Sequence, residues 1–197
     1  MHDLGAIAKK KIENGKELVK KGLVTNIDLN LGDWYTPIVV TANKEGFMKG
    51  DPSGYFRPSA EMNQAEAAVT MARAFGVEVA EGAVPSDRRF EDYPDWALAS
   101  IRALEDNDID LSVLSPKPDQ AISRAQVSVL LSDLLPDEAS EDESGKVFTD
   151  IGGVDGKTRD AIHELSALGI TNGVNNGSKY NPNGTVDRAT FAAYLTR

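Results

Sequence analysis

The feature that most constrains this chain is that it repeats itself. One segment reads Phe90-Glu91-Asp92, Trp96-Ala97, Ile101, Leu104, Asp108-Ile109 and Ser112, then Ile122-Ser123-Arg124-Ala125-Gln126-Val127. A later one reads Phe148-Thr149-Asp150, Ala161-Ile162, Leu165, Gly169-Ile170-Thr171-Asn172-Gly173, Tyr180-Asn181-Pro182, then Val186-Asp187-Arg188-Ala189-Thr190-Phe191. A more divergent first copy reads Asp33-Trp34, Ile38-Val39, Gly46-Phe47-Met48-Lys49-Gly50, Gly54-Tyr55-Phe56-Arg57-Pro58, then Met62-Asn63-Gln64-Ala65. Trp34 and Trp96 lie 62 residues apart, Gln64 and Arg124 60, and Arg124 and Arg188 64. Unrelated helical segments would not hold nearly one offset at both entry and exit motifs, so one unit is used three times.

Each unit reads as helix, loop, helix. Trp96, Ile101 and Leu104, like Ala161, Ile162, Leu165 and Leu168, recur at helical spacing and predict one buried stripe on the first helix. Gly46 and Gly169 stand where a helix C-terminus needs a left-handed residue, and Asp108 takes that place in the second unit at some conformational cost. Pro58, Pro118 and Pro182 fall near the ends of the loops. Asn63, Ser123 and Asp187 then predict an N-cap at the same place in all three units.

The expected organisation is an N-terminal helical extension over 1–27, units over 28–79, 90–135 and 148–197, and an acidic connector over 136–147. Residues 4 to 23 predict an amphipathic helix with Leu4, Ile7, Ile12, Leu18 and Val19 on its apolar face and lysines opposite, covering an otherwise exposed end of the assembly. The fold class expected is all-α.

Composition narrows function by exclusion. Lys and Arg number 21 against 31 Asp and Glu, a net charge of −10, which disfavours nucleic acid, whose binding needs clustered basic residues. With no cysteine, disulfides, thiolate metal sites and cysteine nucleophiles are excluded. No apolar run nears the roughly 18–20 residues that span a bilayer, so no membrane insertion is expected. The order of charged and apolar stretches in residues 1–11 is wrong for a secretory signal, so an export signal is expected to have been removed or the chain excised from a longer one. Asp106, Asp108 and Asp110 alternate like a calcium loop, but Leu111 replaces the turn glycine and Lys117 the closing Glu. His2 and His163 form no catalytic pair. No cofactor and no enzymatic activity are expected.

The Phe-x-Asp start, the aromatic-Ala pair, the Ile-x-Gly-like turn, the aromatic-x-Pro and the Arg-Ala helix start together resemble S-layer homology (SLH) domains over residues 28 to 197. The resemblance implies three tandem repeats in a pseudo-threefold arrangement with a central helical bundle. It implies an extracellular module, in the cell wall or S-layer, that binds an anionic, pyruvylated secondary cell-wall polysaccharide without covalent chemistry. The motif carries the ligand-facing arginine onto Arg124 and Arg188. Gln64 fills that slot in the first repeat without a charge, Lys157 replaces the aromatic in the third, and Ser112 replaces the loop glycine in the second, so only one or two grooves are expected to be competent.

In physical terms, a guanidinium meets a carboxylate through two parallel N–H bonds, and a helix start adds backbone N–H groups and the positive dipole end, about 0.3–1 kcal/mol. Trp34 and Trp96 would supply sugar-stacking platforms, and Gly50 and Gly173 a close backbone approach. Each residue has a plainer alternative: the tryptophans as core, the arginines in structural salt bridges, the glycines as turn formers, Asp92 and Asp150 as helix caps rather than sugar contacts. The alternative for the whole chain is an SLH-derived structural or protein-interaction module, capable of self-association or S-layer assembly, that has lost carbohydrate binding.

Overall fold

The computed structural model describes residues 4–136 and 146–197; the acidic connector falls outside the described residues over 137–145. Among the described residues the chain is all-α. Seven α-helices run in order: α1 (Leu4–Lys20), α2 (Thr36–Lys44), α3 (Gln64–Ala74), α4 (Asp95–Asp106), α5 (Arg124–Leu134), α6 (Gly156–Ala167) and α7 (Arg188–Thr196), with 3-10 turns at Arg88–Phe90 and Leu111–Val113. No helix among the described residues is long and apolar enough to cross a membrane.

The helix ends obey the local chemistry expected of them. Asn63 and Ser123 form full capping boxes, each side chain accepting from the N3 backbone while Glu66 and Gln126 reach back to the cap N–H. Asp187 caps α7 by accepting from Thr190 N at 2.7 Å. At the C-termini, Gly46, Asp108 and Gly169 are all left-handed, with φ of 85°, 58° and 73°. For α4 and α6 the geometry is a Schellman motif: Ile109 N donates to Leu104 O and Asp108 N to Glu105 O, and Ile170 N donates to Leu165 O and Gly169 N to Ser166 O. The same motif ends α1 at Lys20, short of the expected residue 23: Gly22 is left-handed, and Leu23 N reaches back to Leu18 O.

The chain divides into two compact units, one of residues 1–60 with 187–196 and one of residues 61–186. In the first, α2 packs on α7; in the second, α3 packs on α4 and α5 on α6. Every such pair joins the second helix of one segment to the first helix of another. Within the second unit three backbone bonds close a ring: Met62 N to Val186 O at 2.9 Å, Val186 N to Ile122 O at 3.1 Å, and Ile122 N to Met62 O at 2.9 Å.

The first-helix stripe of the second segment needs one correction. On α4 the buried residues are Ala97, Ser100, Ile101, Ala103 and Leu104, whereas Trp96 is 56% exposed. At about 100° per residue, Trp96 sits a quarter-turn away from the line through Ala97, Ile101 and Leu104. Its apolarity, not its phase, had suggested the core.

In the first unit α1 docks through a residue whose importance the apolar pattern did not signal. Gly15 is buried, and a Cβ there would overlap the carbonyl group of Ile27. Leu18 is buried beside it, while Ile7 near the other end is 47% exposed.

Candidate functional site

Two clusters, one in each unit, are built alike. In the first unit Arg188, the opening residue of α7, donates from Nε to Phe56 O at 2.8 Å and from Nη2 to Lys49 O at 2.9 Å. Its guanidinium lies 4.7 Å from the centre of the Phe56 ring. In the second unit Arg124, the opening residue of α5, donates from Nε to Tyr180 O at 2.7 Å and from Nη2 to Thr171 Oγ1 at 3.4 Å, and lies 4.6 Å from the Tyr180 ring centre. Ser128 and Tyr180 hydroxyls are hydrogen-bonded beneath it. A planar cation on an aromatic face, with its edge bonded to the same residue's carbonyl, fixes the loop against the helix start.

A carboxylate holds each loop from the opposite side. Asp28 accepts from Phe56 N at 2.8 Å and Arg57 N at 2.7 Å; Asp150 accepts from Tyr180 N at 2.8 Å and Asn181 N at 2.9 Å. Arg57 and Asn181 both have φ of 59° and both precede a proline, where a left-handed backbone is unfavourable. The paired carboxylate bonds offset that strain. Burial pushes the Asp150 carboxyl up, but the Tyr180 and Asn181 N–H groups outweigh it and hold it below the usual range.

The third helix start lacks the cation. Gln64 is fully buried and accepts from Ser115 N at 2.7 Å while its Nε2 contacts Ser115 Oγ at 3.4 Å. Around that loop Tyr93 and Arg89 take over: Tyr93 Oη donates to Ser115 O at 3.0 Å, and Arg89 Nη1 reaches the Ser112 and Leu114 carbonyls at 3.4 Å each. Burial pushes the Tyr93 phenol up to about 12, against the opposing charge of Arg89.

The backbone N–H groups at these helix starts are already bonded. Gln64 N and Ala65 N donate to Gln120 and Pro118 carbonyls, Arg124 N and Ala125 N to Gly184 and Pro182, and Arg188 N and Ala189 N to Ala60 and Pro58. The expectation that they stand open to an anion is therefore corrected: they bind loop carbonyls, and only the dipole remains.

Arg124 is 8% exposed and Arg188 is half-buried. Trp34 is 58% exposed, edge-on to Tyr35 with ring centres 5.6 Å apart. Tyr35 donates to Asp33 at 3.0 Å, and its phenol is pushed up to about 12 by burial, then by Asp33 and by the charges of Asp28 and Asp187. Lys157, in the aromatic slot, bonds Asp110 at 2.9 Å and Asp133 at 3.1 Å. Asp92 is exposed. Gly50 and Gly173 have packing reasons to be glycine: a Cβ would strike the Asn26 side chain at the first, and the Phe148 ring at the second, where φ is 72°. Asp28, Tyr35, Arg89 and Tyr93 are the site residues that sequence reasoning missed. For Asp28 a signal existed, since Asn26-Ile27-Asp28 aligns with Phe148-Thr149-Asp150.

These features define a helical repeat protein in which the opening residue of one segment's second helix clamps the loop of another segment. Residues 28–68 and 147–192 match the model of the S-layer homology domain. It is 26% identical over 172 residues to cell surface glycoprotein 1 of Acetivibrio thermocellus, covering 82% of this chain and 7% of that protein. It is 26% identical over 165 residues to a cellulosome-anchoring protein of the same organism, covering 80% of this chain and 36% of that protein. The chain thus spans well under two thirds of either relative's length.

Proposed function

We infer that this chain is an extracellular, non-catalytic anchoring module that holds a protein to the cell wall by binding an anionic secondary cell-wall polysaccharide, with a pyruvylated terminal sugar as the recognised group. The observation that carries this reading is the exposure of two tryptophans, Trp34 at 58% and Trp96 at 56%, where the helices around them bury their apolar residues. An indole left in solvent at the start of a first helix is a platform for the C–H face of a sugar ring, with its N–H available to a hydroxyl. Residues 90–135 are read as a third repeat, supported by an N-cap at Ser123, a left-handed Asp108 and a helix start that engages a neighbouring loop, like those of the two matched stretches.

The relatives' names, a surface glycoprotein and an anchoring protein, support the same reading. Co-sedimentation with purified cell-wall polymer tests it. Wild type is expected to pellet with pyruvylated polymer and to stay in solution with depyruvylated polymer, and Trp34→Ala with Trp96→Ala to lose pelleting while keeping its helical signal. Equal pelleting of both polymers would remove the pyruvate specificity, and unchanged pelleting of the double variant would remove the platform.

A second reading, a scaffold that has lost sugar binding and acts in self-association or S-layer assembly, is favoured by Gln64 and Lys157. The first is buried against Ser115 and the second is tied to Asp110 and Asp133, so two of the slots are occupied by internal contacts. Concentration-dependent self-association without wall binding would select it.

A further inference from the structure

The two exposed indoles differ in what stands beside them. Trp96 is followed by Ala97, which is fully buried, whereas Trp34 is followed by Tyr35, whose ring meets the indole edge-on with centres 5.6 Å apart. The Tyr35 hydroxyl donates to Asp33 Oδ2 at 3.0 Å, so an indole, a phenol and a carboxylate are tied together at the start of α2. Two polar groups of this set face solvent: the Trp34 indole N–H and Asp33 Oδ1 bond to no described residue, and neither is a buried atom. The set thus offers one open donor and one open charged acceptor beside an apolar ring face.

The charge around the phenol is mostly negative. Asp28 and Asp187 act on it together with Asp33; Asp28 is engaged by Phe56 N and Arg57 N, and Asp187 by Thr190 N. Arg188, next in sequence to Asp187, is turned to the Phe56 and Lys49 carbonyls and to the Phe56 ring. A sugar laid on the Trp34 ring therefore meets carboxylate. Its hydroxyls can donate to Asp33 Oδ1 in a charge-assisted bond, and an acidic substituent on it is repelled.

We propose that the Trp34 platform takes an uncharged sugar unit of the wall polymer, with Asp33 as the residue that sets this specificity. Asp33 Oδ1 accepts from a ring hydroxyl, the indole carries the C–H face of the sugar, and a pyruvylated unit is turned away. Tyr35 is a positioning residue that holds the carboxylate and the indole in one arrangement. The assignment rests on the anchoring reading for the kind of polymer and deepens it, because the pyruvate group is then read elsewhere on the chain. One neutral contact is too weak to sediment a protein by itself, but on a linked polymer it adds to a charged contact through effective concentration.

The test is a titration of the full chain with three matched probes, read from the Trp34 indole N–H signal in NMR, which is assigned by its absence in Trp34→Phe. Methyl β-glucoside presents the neutral sugar, its cyclic pyruvate ketal presents the acid, and the methyl ester of that ketal presents the same bulk without the charge. The glucoside and the ester are expected to move the Trp34 signal with affinities within about threefold of each other, and the acid to bind at least about fivefold more weakly than the ester. Asp33→Asn keeps the shape and an acceptor for Tyr35; it is expected to weaken the glucoside about fivefold and to bring acid and ester within about twofold. Glu45→Gln, the same charge change beyond the other end of α2, is expected to leave every affinity within about twofold of wild type. Acid binding as tight as ester in wild type, a preference unchanged in Asp33→Asn, an equal change in Glu45→Gln, or a Trp34 signal silent to both neutral probes would each overturn the assignment. Sedimentation with wall polymer by a chain whose Trp34 stays silent would remove this assignment alone. A Trp34 response to the glucoside in a chain that never sediments would leave the assignment standing and remove the anchoring reading.

Discussion

Arg124 and Tyr180 are 56 residues apart in sequence, yet the Arg124 guanidinium lies 4.6 Å from the Tyr180 ring centre and its Nε donates 2.7 Å to the same residue's carbonyl. The arginine that the family resemblance assigns to ligand thus also joins the second segment's closing helix to the third segment's loop. Any substitution there is read first in stability and only then in binding.

Arg124→Ala is expected to destabilise the chain by about 2–4 kcal/mol, since it removes a charge-assisted bond to a buried carbonyl and a cation–π contact together. Arg124→Lys keeps the charge but not the planar fork, and is expected to recover less than half of the loss. Urea denaturation of the three proteins measures this. Equal stability of all three would mean that the clamp is not structural.

Gly15→Ala sets two effects against each other. Alanine in a helix interior is favoured over glycine by about 1 kcal/mol, but a Cβ at Gly15 overlaps the Ile27 carbonyl, and such overpacking costs about 1–3 kcal/mol. Sterics are expected to win, with α1 released from the loop at Ile27. Faster amide exchange confined to residues 12–20 and 23–30 is the signature; protection as in wild type would show that the loop yields.

The Asp110 carboxyl is lowered from 3.8 to about 2, chiefly by its bonds with Ser112 and next by Lys157. A carboxylate held below its unfolded value stabilises the fold above that value, and its contribution is lost as the pH falls from about 4 to about 2. The urea midpoint of wild type is expected to drop across that interval more steeply than that of Asp110→Asn. Parallel curves would show that the Asp110 carboxylate adds no stability through its bonds with Ser112 and Lys157.

Gln64→Met keeps the volume of a buried side chain but removes the acceptor for Ser115 N. An orphaned buried N–H costs about 1–3 kcal/mol, so a loss in that range is expected by thermal or urea unfolding. A neutral result would mean that water or Gln120, which accepts from Ser115 Oγ at 2.8 Å, replaces the acceptor.

The sequence by itself determined the features that depend on near neighbours in the chain. Asn63, Ser123 and Asp187 cap helices because the groups they bond lie three residues ahead, and Gly46, Asp108 and Gly169 end helices because left-handed geometry is a property of one residue and its turn. The all-α class and the SLH resemblance rest on that local chemistry repeating at a nearly fixed offset. Tertiary structure alone decided what each special residue touches. Gly15 is silent in sequence because its reason is the carbonyl of Ile27, and the partners of Arg124 and Arg188 come from loops far away in the chain. Helix periodicity reports the direction in which a side chain leaves its own helix, and the atoms waiting there are supplied by the packing of distant segments.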